Sequence, residues 1–105
     1  IISNNFMSSF IMPLIIMILL AFPAYGKKPE KYYQEVFAEE VNGTVEVVMQ
    51  DGSRCDIVTK THAIEVDFAR KWAEAIGQSL HYSVLTGKLP GILLILEKDS
   101  DQKHL

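Results

Sequence analysis

The stretch Ile92-Leu-Leu-Ile-Leu96 has no polar side chain and no alternation. A run of that length and character reads as a central strand covered on both faces. A chain that contains it must supply apolar layers on two sides of a sheet. The preceding sequence offers two helices for that purpose. Pro29 to Val41 reads as the first, with Pro29 in the opening turn and an apolar stripe at Tyr33, Val36, Phe37 and Val41. Asn42-Gly43 stops it, with Gly43 expected in the left-handed cap. Phe68 to about Val84 reads as the second, with Phe68, Trp72, Ile76 and Leu80 forming its core face, widened by Ala69, Ala73 and Ala75.

Between the helices lie three strand-like segments with short links. Thr44 to Gln50 is rich in β-branched residues, and Asp51-Gly52 signals a two-residue hairpin into Ser53–Thr59. Lys60-Thr61 then connects to His62–Val66. Short links imply an antiparallel meander. The final strand follows a strand and a helix, so a crossover places it parallel to the third. Thr86 to Gly91 reads as a loop, and the polar tail from Lys98 as frayed. The expected class is α/β: an α+β mixed sheet with a helix–three-strand meander–helix–strand core.

Residues 1–26 contain no Asp, Glu, Lys, Arg or His and include the run Phe10–Phe22, broken by Pro13. They end in Ala24-Tyr25-Gly26 before Lys27-Lys28. This reads as a secretory signal, with an uncleaved membrane anchor as the alternative. A secreted or periplasmic location follows from the first; a cytoplasmic one follows if the leader is a mis-called start. Residues 27–105 form a single domain. The net charge of −3 argues against a strong non-specific grip on a polyanion but does not exclude a nuclease, since metal ions supply local positive charge. With Cys55 the lone cysteine no internal disulfide forms, and Cys55 reads as a packing residue. There is no Gly-rich phosphate loop, nucleophile elbow or zinc-type Cys/His cluster.

The charges within the strands are the candidate chemistry. Side chains alternate, so Arg54, Asp56 and Val58 share one face of their strand, opposite Cys55 and Ile57. Ala63, Glu65 and Asp67 share one face of the next. If the two strands pair, Asp56 approaches Glu65 and Asp67. Crowded carboxylates need a proton or a cation, and a hard divalent ion such as Mg²⁺ (or Mn²⁺) suits them. The carbonyl of Val66 is a further candidate ligand. Lys71, Gln78 and Tyr82 fall on roughly one side of the second helix. Lys71 is placed to stabilise charge at that site, and Gln78 and Tyr82 to contact a substrate backbone. Asp67 also suits the N-cap of the helix. Tyr82 has core closure as its alternative role, and Trp72 reads as packing. Glu35, Glu39 and Glu46 are candidate extra acids, and His62 opens a strand near the site.

Asp56, then Glu65-Val66-Asp67, then Gln78-x-x-x-Tyr82, in this order of elements, resembles the PD-(D/E)XK nuclease superfamily, in particular its exonuclease-like branch. The resemblance covers about Pro29 to Glu97. It implies a restriction-endonuclease-like fold and metal-dependent hydrolysis of phosphodiesters in DNA or RNA. Asp56 and Glu65 would match the acidic metal ligands, and Gln78 and Tyr82 the helical motif. The pattern expects Lys two residues after the Glu, where this chain has Asp67; Lys71 would substitute from the helix. The competing expectation is a non-catalytic domain of the same fold, binding protein or nucleic acid in the cell envelope. A homodimer is compatible with either.

Overall fold

The computed structural model describes residues 28–96 and the backbone of the strand Ile18–Pro23. The element order is β1 (Ile18–Pro23), α1 (Glu30–Glu40), β2 (Thr44–Val48), β3 (Arg54–Val58), β4 (His62–Phe68), a 3₁₀ turn (Ala69–Lys71), α2 (Trp72–Thr86) and β5 (Leu89–Leu96). The sheet runs β1-β5-β4-β3-β2. The β2–β3 and β3–β4 pairs are antiparallel, and the β4–β5 and β1–β5 pairs are parallel. This is the expected mixed sheet, with β5 parallel to β4. Strand β1 lies inside the apolar segment read as a leader and adds a strand to the four expected. The rest of that segment and the tail from residue 97 lie outside the described residues. Among the described residues no helix is long and apolar enough to cross a membrane.

The central strand serves two layers. Leu93 and Ile95 pack with Tyr33, Ala38, Ile57, Ile64 and Val66 beneath α1. Ile92 and Leu94 pack with Ala69 and Ala75 beneath α2. All four are at most 2% exposed, and full burial of such a side chain contributes roughly 1.5–3 kcal/mol before entropy is counted.

Four local expectations are corrected. Strand β4 extends to Phe68 because its parallel register with β5 continues through Phe68↔Ile95, so the helix starts later. By the same pairing β5 begins at Leu89, within the expected loop. The buried face of α2 is Ala75, Ser79, Tyr82 and Ser83. Of the larger residues expected there, Ile76 packs partly buried against Ala69, Ala75, Ile92 and Leu94. Leu80 is half-buried, and Trp72, on the same side at the first turn, is exposed. Small residues let the helix lie close to the sheet. Their hydroxyls are satisfied locally, Ser79 Oγ donating to Ile76 O (2.9 Å) and Ser83 Oγ to Lys88 O (2.6 Å). The β2–β3 loop has three residues, not two. Met49 N donates to Ser53 O at 2.7 Å, and Gly52 N to Met49 O at 3.0 Å, with Gly52 left-handed (φ 86°). That is the turn-plus-bulge form of hairpin.

At the end of α1 the left-handed residue is Asn42 (φ 56°), which tolerates that region better than most residues. Gly43 is needed for another reason: a Cβ there would run into Ile57 Cγ2. Gly43→Ala should therefore destabilise the fold by about 1–3 kcal/mol, as overpacking does. Urea denaturation measures this; an unchanged midpoint would contradict the packing.

Candidate metal centre

The antiparallel ladder between β3 and β4 contains Ile57↔Ile64 and Val58↔Ala63, and goes no further. Continued, it would set Asp56 opposite Glu65. At that row side chains replace the backbone bonds. Asp56 Oδ2 accepts from Val66 N at 2.9 Å, and Glu65 Oε1 accepts from Asp56 N at 3.3 Å. The carbonyl of Asp56 accepts from Gln34 Nε2 at 2.9 Å, a buried amide on α1. The other neighbour of β3 is interrupted at the same row. Val45↔Ile57 and Val47↔Cys55 pair, while Glu46, between them, sits at φ 53°. A non-glycine residue there costs of order 1–3 kcal/mol, and such strain concentrates at functional sites.

The interruption also breaks the expected alternation. Ile57 faces α1, as does Ile64. Cys55 packs with Ala63 and Tyr82 on the α2 side. Burial pushes its thiol up to about 12, with Glu65 adding to the effect, so it is inert packing, as expected.

Glu65 and Asp67 are 5% and 8% exposed, and Asp56 is half-buried. Burial, then the Asp56 carboxylate, pushes Glu65 up to about 8. Burial also raises Asp56, opposed by the Val66 N–H and by the hydrogen bond from Glu65. The interaction between the two carboxyls thus holds Glu65 up and Asp56 down, against the burial that raises both. Asp67 is raised by burial and relieved by the Phe68 N–H and by Lys71.

A further acid joins them. Glu30, in the first turn of α1, is pushed up to about 7 by burial, then by Asp67 and Asp56, and is relieved by Lys71 and Arg70. The cluster is thus Glu30, Asp56, Glu65 and Asp67, with Lys71 beside Glu30 and Asp67. Sequence reasoning placed an acid from the first helix here but offered Glu35 and Glu39, which are exposed. The composition of the helix could not show which end meets the acids. The third acid offered, Glu46, does act on Asp56, from β2.

The remaining site residues divide. Lys71, at the N-cap of α2, is exposed and makes no ion pair within 4 Å among the described residues. Gln78 is exposed, with no hydrogen bond to the acids. Tyr82 is buried against Cys55 and Ala63, the core position that was its alternative role. Asp67 is not a helix cap: its Oδ1 accepts from the adjacent Phe68 N at 2.9 Å, and the turn that follows has no side-chain cap. His62 lies at the opposite end of β4 from Asp67, bonded to Thr61 (2.7 Å) beside a groove of about 500 Å³.

Carboxylate oxygens crowded in this way suit a hard divalent cation in donor type. Among the described residues, though, no group of three or more His, Cys, Asp or Glu is arranged to hold a metal ion as it stands. Loading would require Glu65 to give up its proton and Asp56 to exchange a backbone partner.

A carboxyl with a raised folded-state pKa binds more protons folded than unfolded between its two pKa values, so stability falls as pH rises through that window. The window runs from 4.5 to about 8 for Glu65, and from 4.5 to about 7 for Glu30. The melting temperature in EDTA should fall across these windows and level off above them. Glu65→Gln should remove the upper part of the fall. A melting temperature that rises across the same range would refute the assignment.

No family model matches the chain, and no solved structure matches it. Two proteins of Acanthamoeba polyphaga mimivirus, provisionally described as KilA-N domain-containing proteins L33 and R878, are similar to it. L33 is 37% identical over 67 residues, covering 64% of this chain and 27% of L33. R878 is 34% identical over 68 residues, covering 65% of this chain and 19% of R878. The chain thus spans about a quarter or less of the length of these relatives, and it is similar to a segment of each.

Proposed function

We propose that the domain is a divalent-metal-dependent phosphodiester hydrolase, with DNA or RNA as substrate. The observation that carries this reading is the pair of bonds by which Asp56 and Glu65 bridge β3 and β4, beside Asp67 and Glu30, whose charges act on one another and on Asp56 and are relieved by Lys71. Acids that raise one another's pKa cost stability in the empty protein, a penalty that suits a site made for a cation. Asp56, Glu65, Glu30 and Asp67 would hold the ion. When bound, it would supply positive charge against the oxygens of a phosphodiester. Lys71 adds a second positive charge from the helix side, the part a lysine on β4 would otherwise play. Asp56, fixed by Val66 N and by the Gln34 bond to its carbonyl, orients the site. Glu65, once deprotonated, is its second fixed acid.

One observation favours a second reading, a non-catalytic binding domain of the same fold. Asp67 stands where the resemblance expects lysine, and Asp56 and Glu65 already hold backbone partners.

Cleavage of fluorescent DNA and RNA strands in Mg²⁺ or Mn²⁺ separates the two. Asp56→Asn and Glu65→Gln should each reduce the rate by about 100-fold or more, and Glu30→Gln by about 10-fold, within the range for groups that hold or orient a metal. Lys71→Met should cost roughly 100-fold, as for a lost electrostatic donor. Circular dichroism checks that each variant stays folded. Metal-dependent cleavage that survives in both the Asp56 and Glu65 variants would reject the hydrolase reading.

A further inference from the structure

Trp72 is the lone tryptophan of the chain and is 42% exposed. Its position makes that exposure informative. Trp72, Ile76, Ser79 and Ser83 are spaced by four, three and four, so they share one stripe of α2. Ser79 and Ser83 on that stripe are buried against the sheet. Trp72 therefore projects from the sheet-facing side of the helix at its first residue, where the helix overhangs. The face it overhangs is that of Ala63, Glu65 and Asp67, since Ala63 packs on Tyr82 and Glu65 pairs with Ile92 of the α2 layer. Trp72 also follows directly on Lys71, the cation beside Glu30 and Asp67. A large indole left open to water at this place forgoes apolar burial that such side chains ordinarily obtain.

The charges say what it would hold. Lys and Arg number 10 against 13 Asp and Glu. Arg54 pairs with Glu46, Lys31 with Glu35, and Lys88 Nζ bonds the carbonyls of Thr59 and Lys60. Among the described residues that leaves Lys28, Lys60, Arg70 and Lys71, with Arg70 over the Phe68 ring and Lys28 over the Tyr32 ring, in a chain whose acids outnumber its bases. Duplex affinity, obtained chiefly by neutralising phosphates, is not favoured by that balance. Stacking of bases on an aromatic ring needs few cations, but it needs bases whose faces are open.

We propose that the metal centre takes single-stranded nucleic acid, one base stacking on Trp72 while Lys71 meets the adjoining phosphate. This rests on the hydrolase reading for its purpose, and on Trp72 and the charge distribution for its content. A duplex hides its base faces and presents mainly phosphates, which the acidic domain repels.

The single tryptophan is its own reporter. The full chain is titrated with oligo(dT), oligo(rU) and a blunt duplex of equal length, in EDTA at about pH 6, where Glu30 and Glu65 still hold protons. Trp72 fluorescence should be quenched saturably by the single strands, with duplex affinity at least about tenfold weaker. By anisotropy of labelled strands, Trp72→Ala should lose about tenfold in single-strand affinity, and Trp72→Phe should keep most of it. Equal affinity for duplex, an unaffected Trp72→Ala variant, or no binding of any strand overturns the proposal. Single-strand binding without any metal-dependent cleavage would support it and reject the hydrolase. Asp56-dependent cleavage without Trp72-dependent binding would do the reverse.

Discussion

The bonds that replace the β3–β4 ladder at Asp56 and Glu65 set the rest of the arrangement. Two backbone bonds of an ordinary antiparallel sheet are exchanged for a carboxylate on Val66 N and a carboxyl on Asp56 N. The exchange keeps buried donors satisfied, which a gap in the ladder alone would not do. It also fixes two acidic side chains between the strands, where burial raises both pKa values. The strained backbone of Glu46 and the Gln34 bond to the carbonyl of Asp56 lie at the same row. A residue that merely closed a sheet would need neither.

The loop and helix around this row hold it in place. His81 Nε2 meets Asp51 Oδ2 at 2.8 Å, so α2 grips the β2–β3 loop from which Asp56 descends. Hydrogen bonds from Ser53, then from His81, hold the Asp51 carboxyl down to about 2. Tyr82, packed on Cys55 and Ala63, adds a buried contact between the same helix and the two strands that carry the acids. On the other side Lys88 ties the β3–β4 connection to the start of β5. The acids are therefore set by a frame whose parts lie far apart in sequence.

How much of this could be read from sequence follows from which signals are local. The apolar run Ile92–Leu96, the order of strands and helices, and the parallel placement of β5 were legible because periodicity and link length determine them. So was the approach of Asp56 to Glu65, since the short antiparallel link sets them opposite one another; the break in alternation at that row was not. The rotation of α2 was not. Ile76 and Ala75 do pack on the sheet. Trp72 and Leu80 outweigh Ser79 and Ser83 in any hydrophobic pattern, yet close packing favoured the serines. Glu30 was missed because it differs from Glu35 and Glu39 only in lying at the helix end that meets Asp67. Asp67 itself was legible as a member of the cluster and misread as a cap, because β4 runs one residue past it.

As proposed, these four carboxylates form one cation site, and a proton leaves as it loads. Mn²⁺ titration followed by electron paramagnetic resonance, with calorimetry in two buffers to count protons, tests it most directly. One site is expected that strengthens from about pH 6 to about pH 8, releases about one proton on binding near neutrality, and is lost in Asp56→Asn. Binding that is indifferent to Asp56, or no binding at pH 8, would contradict it.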